Sequence, residues 1–208
     1  NKPIEVITNG YDVENVPKQT LDEKFTLAHI GSFLSDRNPK ILWESLKELV
    51  SENEVFKNHF QLKLIGKVSQ EILDSISEFK LDAYLNNLGY VSHSEAIKHQ
   101  KASQVLLLIE IDSEETKSII PGKLFEYMVS ERPIIAIGPK DSDFAEIITS
   151  TNTGVFFTYN EKERLKKTIL TNFELYSEKK LQVYPVGLQQ YSRKNLTEKL
   201  AKLITSNS

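Results

Sequence analysis

Short apolar runs rich in β-branched and aromatic residues alternate along the chain with stretches whose apolar positions recur at helical spacing. That alternation is the pattern of repeated βα units around a parallel sheet. Strands are predicted at Glu5 to Thr8, Thr26 to Gly31, Gln61 to Gly66, Asn86 to Tyr90, Val105 to Ile109, Pro133 to Ile137 and Gly154 to Phe157. Several are apolar on consecutive positions, as strands covered on both faces require. Helices are predicted from Pro39, where Ile41, Leu42, Leu46 and Leu49 share a face, and at Glu71 to Phe79, Ser94 to Lys101, Gly122 to Ser130, Phe144 to Thr149, Glu161 to Tyr176 and Arg193 to Ile204. Pro39 suits a first turn because the N–H it lacks would be unpaired there. The expected fold class is α/β, a Rossmann-like doubly wound parallel sheet. Residues 25–178 would form it, after a lead-in segment 1–24 and before a linker and C-terminal helix at 179–208, where Pro185 and Gly187 break the periodicity.

Composition narrows the class. With 39% hydrophobic and 26% charged residues among 208, the chain is an ordinary globular sequence rather than a collagen-like or disordered one. Its 26 basic and 29 acidic side chains leave a net charge of −3, which offers no broad polyanion surface, so nucleic acid is not an expected partner. There is no cysteine, hence no disulfide, thiolate nucleophile or Cys-ligated metal. The longest apolar run, Val105 to Ile109, falls far short of the ~18 to 20 residues that span a bilayer. No signal-peptide pattern opens the sequence, and a cytoplasmic protein without membrane insertion is expected. Because the chain starts at Asn1 directly on an apolar segment, it is expected to be cut from a longer polypeptide.

Two segments carry candidate chemistry. In Ile30 to Pro39 a strand runs into a small-residue turn and then a helix; Gly31 and Ser32 let a ligand approach the backbone, and Arg37 adds a fixed positive charge suited to phosphate. An ordinary βα turn with a surface arginine has the same spacing. In Pro121 to Met128, Pro121 and Gly122 start a helix whose N–H groups at Gly122 to Leu124 would face an anion, with Lys123 to neutralise it. Glu126, one turn on, would accept hydrogen bonds from ribose hydroxyls; the plainer alternative is a solvated lysine and a glutamate favoured by the helix dipole. Neither a Walker motif nor G-x-G-x-x-G occurs. The acidic loop with Asp112, Glu114 and Glu115 reads as solvated, and Asp143 with Glu146 as a helix cap and its box partner rather than a metal motif. His93 and His99 lack a third ligand for zinc, and His29 reads as a packed or turn-facing histidine. No metal or other cofactor is expected.

The run P-G-K-L-F-E-Y-M-V-S-E-R-P-I-I-A-I at Pro121 to Ile137 resembles the donor-binding motif of GT-B-fold glycosyltransferases, particularly the GT4-like group 1 family. Asn9-Gly10-Tyr11-Asp12, the glycine turn after His29, Leu62 to Gly66, Leu88 to Glu95 and Ser103 to Ile109 are similar to that family's segments in order and spacing. The resemblance implies the C-terminal half of a two-domain enzyme that takes a sugar from a nucleotide-diphosphate donor, in glycan or surface-polysaccharide synthesis and with retention of configuration. Segment 1–24 would then lead in from an N-terminal domain, which would bring a sugar or lipid-linked acceptor and much of the catalytic machinery. It further implies that Glu126 binds the donor ribose, that Arg37 binds the diphosphate, and that backbone around Tyr90, Val91 and Ser92 lies near the base. The chain departs from the family at Ser118, where a glutamate usually precedes Glu126 by eight positions, and at Ser32, where many members place arginine. Lys123 is expected to compensate. A non-catalytic interaction module and a GT-B-fold sugar-nucleotide epimerase are the alternatives left open.

Overall fold

The computed structural model describes residues 4–12 and 17–206, so part of the lead-in segment and the last two residues lie outside the described chain. Six strands, β1 (Phe25–Ile30), β2 (Phe60–Ile65), β3 (Leu85–Gly89), β4 (Val105–Ile109), β5 (Ile134–Ile137) and β6 (Gly154–Phe157), form one parallel sheet in the order β3-β2-β1-β4-β5-β6. Among the described residues eight α-helices connect and follow them: α1 (Lys40–Glu52), α2 (Glu54–His59), α3 (Gln70–Glu78), α4 (His93–Ala102), α5 (Gly122–Met128), α6 (Asp143–Ser150), α7 (Lys162–Ser177) and α8 (Arg193–Ser206). Alternate residues of each central strand serve opposite faces: Leu27 joins Trp43, Phe56, Leu165 and Phe173 in one core, and Ala28 joins Phe125, Tyr127 and Phe144 in the other. Two apolar faces on one sheet are what the continuous apolar runs require, and they give the doubly wound arrangement.

The strand order reverses between β1 and β4, and the two strands part there. Their pairing runs through Leu27↔Val105 and Ala28↔Leu106, while β1 keeps its register with β2 from Phe25↔Phe60 to Ile30↔Ile65. The side of β1 that turns away from β2 is completed by side chains. The Tyr127 hydroxyl of α5 accepts from the Ile30 N–H at 2.9 Å and donates to the Ile30 carbonyl at 3.1 Å. The His29 ring reaches Leu107 O of β4 at 3.2 Å. A parting of strands at a switch point is where ligands bind in open α/β sheets.

Three predicted details differ. Glu5 to Thr8 is not a strand; this segment lies against α8 instead, with Glu5 paired to Lys199 at 3.0 Å and Tyr11 bridged to Ser192. The segment pairs with neither edge strand of the sheet, β3 or β6. The short α2 lacks enough turns to show a period in the sequence; Asn53, which ends α1, caps it by accepting from Phe56 N–H at 2.9 Å. The box at Asp143 does not form, because α6 starts one residue earlier than a cap at Asp143 requires, with Ser142 as its N-cap and no side-chain cap bond. Asp143 and Glu146 sit in its first turn, where the helix dipole favours them.

Tyr127 is fully buried, so Tyr127→Phe would leave an N–H and a carbonyl of Ile30 without partners. A loss of about 2 kcal/mol in urea unfolding is expected; a change within error would show that water or the backbone replaces the phenol.

Candidate functional site

The ends of β1, β2 and β3 are stepped glycine turns. Gly31, Gly66 and Gly89 have φ of +120°, +115° and +67°, a region that other residues adopt only with strain. The Gly31 N–H donates to Ile65 O and the Gly66 N–H to Gly89 O, each at 2.7 Å. A side chain at Gly66 would place its Cβ 2.5 Å from Gly31 O, so the close stacking of these turns requires glycine there. Above them lies a cleft of about 490 Å³. Gly31, Ser32, Gly66, Lys67, Tyr90 and Val91 line the strand side, and His93 and Gln100 of α4 and Lys123 and Glu126 of α5 line the helix side.

Lys123 is the group that defines the cleft's charge. Its Nζ stands 3.1 Å from the point a Cβ on Gly31 would occupy and 3.3 Å from His29 Nε2. Burial pushes its ammonium down to about 8, with Glu110 and Glu126 opposing that shift and Arg37 adding to it. A half-buried cation beside a turn that has no side chain gains from any anion that restores what desolvation removed. Glu126 is positioned by Gln100, itself buried, whose amide donates to Oε2 at 2.9 Å. Beyond Glu126 the cleft meets a second cavity of about 470 Å³, bounded by Asn9 to Asp12, Gly122 and Arg193.

Not every residue singled out in the sequence reaches the cleft. The Arg37 guanidinium is turned to Glu110, with Nε and Nη2 at 3.2 and 3.1 Å from the same carboxylate oxygen. Glu110 follows β4 and is 4% exposed, which explains the pairing: a carboxylate so deeply buried needs a cation and hydrogen bonds. Tyr159 donates to the Glu110 carbonyl at 2.8 Å and closes the cluster. The Leu124 side chain is in the core and its N–H is bonded to Pro121 O at 3.0 Å, so the expected row of free N–H groups does not extend to it. Ser118 is exposed in the loop before α5 and does not line the cleft, and Gly122 lines the neighbouring cavity. In the acidic loop, Glu114 pairs with Lys117 at 2.7 Å. Gln100, Glu110 and Lys67 were not legible as site residues. Gln100 sits on a helix face like any polar residue, and only Lys67, directly after the Gly66 turn, repeats the glycine-then-polar pattern seen at Gly31-Ser32.

Because Arg37 neutralises Glu110, Arg37→Ala is expected to lower unfolding stability by about 3 kcal/mol through the stranded carboxylate. Arg37→Ala with Glu110→Gln should recover most of it. Wild-type stability of the single variant would show that solvent screens the pair.

A family profile described as glycosyl transferases group 1 matches residues 24–174. No curated protein matches the chain. Among solved structures, Anabaena Alr3699/HepE in complex with UDP superposes with a TM-score of 0.66 at 14% identity, over 88% of this chain and 49% of that one. A point mutant of S. aureus TarM in complex with fondaparinux, alpha-GlcNAc-glycerol and UDP gives 0.65 at 18% identity, over 98% and 40%. The lipopolysaccharide outer core galactosyltransferase WaaB in its apo form gives 0.64 at 12% identity, over 98% and 56%. The chain thus spans about half the length of these proteins, and at such identities the likeness is one of fold. By a profile that covers most of its length and a doubly wound sheet matching the C-terminal half of the GT-B fold, the chain belongs to the group 1 glycosyltransferases.

Proposed function

We propose that this chain is the donor-binding half of an enzyme that transfers a sugar from a nucleotide diphosphate to an acceptor. The observation that carries the reading is Lys123, a half-buried cation held at the glycine turn of β1, with Glu126 one helical turn further along the same cleft. A diphosphate on the Gly31–Ser32 turn would meet the Lys123 ammonium, and the ribose beside it would reach the Glu126 carboxylate that Gln100 orients. Tyr90, 91% exposed at the end of β3, offers a face for the base. UDP in the HepE and TarM complexes supports a nucleotide donor.

Negative charge grows on the departing diphosphate as the glycosidic bond breaks. Lys123 therefore stabilises the transition state more than the ground state, and its partial desolvation strengthens the effect. Arg37 contributes from behind, by balancing Glu110 so that this carboxylate does not oppose the incoming anion. The acceptor site and the remaining catalytic groups are assigned to the part of the relatives' length that this chain does not span. The chain alone is therefore expected to bind donor without turnover. The lipopolysaccharide galactosyltransferase among its structural relatives supports a glycan or surface-polysaccharide acceptor, and retention of configuration rests on the family resemblance.

Calorimetric titration with UDP, GDP, ADP and dTDP at low salt, where charge attraction is least screened, tests this reading. One of the four is expected to bind, and Glu126→Ala to weaken it about tenfold through loss of charged hydrogen bonds. A folded chain that binds none of them would overturn the reading. The ammonium form of Lys123 is the one that binds, so affinity should hold up to neutral pH and fall as pH rises through about 8. Lys123→Met should bind more weakly and lose that pH dependence; a wild-type profile in the variant would place the anion elsewhere.

A further inference from the structure

His29 is a buried titratable group that the proposed chemistry leaves without a task. It lies on β1 with no solvent exposure, and its ring stacks on Phe33 with centroids 4.3 Å apart. Three polar atoms surround the ring: Leu107 O at 3.2 Å from Nδ1, and Ser32 O and Lys123 Nζ, each at 3.3 Å from Nε2. These partners belong to β4, the glycine turn and α5, so one imidazole touches every element that forms the phosphate end of the cleft.

The partners select one protonation state. An imidazolium would satisfy both carbonyls but would set a second cation against the Lys123 ammonium, out of water. The neutral tautomer protonated on Nε2 would donate to Ser32 O, leave Leu107 O facing a lone pair and give Lys123 nothing to donate to. The neutral tautomer protonated on Nδ1 donates to Leu107 O and leaves Ser32 O without a donor from the ring, so each neutral form serves one carbonyl, but only this one presents a bare Nε2 to the lysine. Burial, followed by the charge of Lys123, holds the imidazole well below its ordinary range, which agrees with a neutral ring. The other charges near the pair are Arg37 after β1, Glu110 after β4 and Glu126 on α5; Arg37 and Glu110 satisfy each other, and Glu126 is engaged by Gln100.

We infer that His29 is a positioning residue for the phosphate-facing cation: a neutral imidazole protonated on Nδ1, it accepts a hydrogen bond from Lys123 Nζ and holds that ammonium against the Gly31 turn. Without it the four-carbon stem of the lysine is free to swing away from the turn. With it, one N–H is committed to the ring and the other two are available to an oxyanion. The inference rests on the donor reading for its phosphate, but not for the contact itself.

Two measurements without nucleotide test the contact on the whole chain. Nitrogen-15 NMR of the His29 ring should show a protonated Nδ1 and a bare Nε2 at neutral pH; the opposite tautomer, or an imidazolium, overturns the inference. Following the Lys123 Cε signal through a pH titration should show the ammonium of His29→Phe, which has lost its acceptor, deprotonating at lower pH than the wild type's about 8. His29→Gln, which carries a carbonyl within reach of the Nε2 position, should move it back. An unchanged Lys123 titration in a folded His29→Phe overturns the positioning role, and if that variant does not fold the ring tautomer of the wild type still decides. With UDP as probe, affinity at neutral pH should fall on the order of tenfold in His29→Phe and recover in His29→Gln. If the wild type binds no nucleoside diphosphate, the donor reading fails, while the tautomer and the lysine titration decide the role of His29 separately.

Discussion

The site depends on one constraint at the middle of the sheet: the strand order reverses between β1 and β4, and the two strands share only the rungs at Leu27 and Ala28. Beyond those rungs a backbone ladder no longer satisfies that side of β1, and buried peptide groups there still need partners. Tyr127 from α5 takes both polar groups of Ile30, and the His29 ring reaches Leu107 O. Completing the sheet thereby fixes α5 against the end of β1 through Tyr127 in its last turn. That docking sets Lys123 beside Gly31 and Glu126 along the same wall.

The cations of the site do different work because their surroundings differ. Arg37 has a planar, permanently charged head that matches the buried carboxylate of Glu110, and the pair ties the loop after β1 to the end of β4. Lys123 has a compact head whose charge depends on its surroundings. Burial brings its titration close to neutral pH, where an arriving anion changes its state most. Two basic residues that look equivalent in the sequence thus divide into one that pairs with a buried carboxylate and one that lines the cleft.

Much of this was readable in the sequence. The runs at Val105 to Ile109 and Gly154 to Phe157 are strands at their predicted bounds, the first buried throughout as a central strand and the second half-buried at the sheet edge. Gly31 and Ser32 of the glycine turn and Lys123 and Glu126 of the P-G-K-L-F-E motif line one cleft. Misreadings fell where a residue's meaning depends on a partner distant in the chain. Arg37 pairs with Glu110, Glu5 to Thr8 lies along α8, and Gln100 gains its role only when α4 is set against α5.

The sequence by itself determined the βα alternation, the sheet's two apolar faces and the family, because these follow from local periodicity and short contiguous motifs. The tertiary structure alone decided which cation lines the cleft and which meets a carboxylate, and which protonation state His29 adopts. Those outcomes depend on distances between β1, β4 and α5, elements separated by many tens of residues, and on the desolvation that their packing imposes on every charge between them.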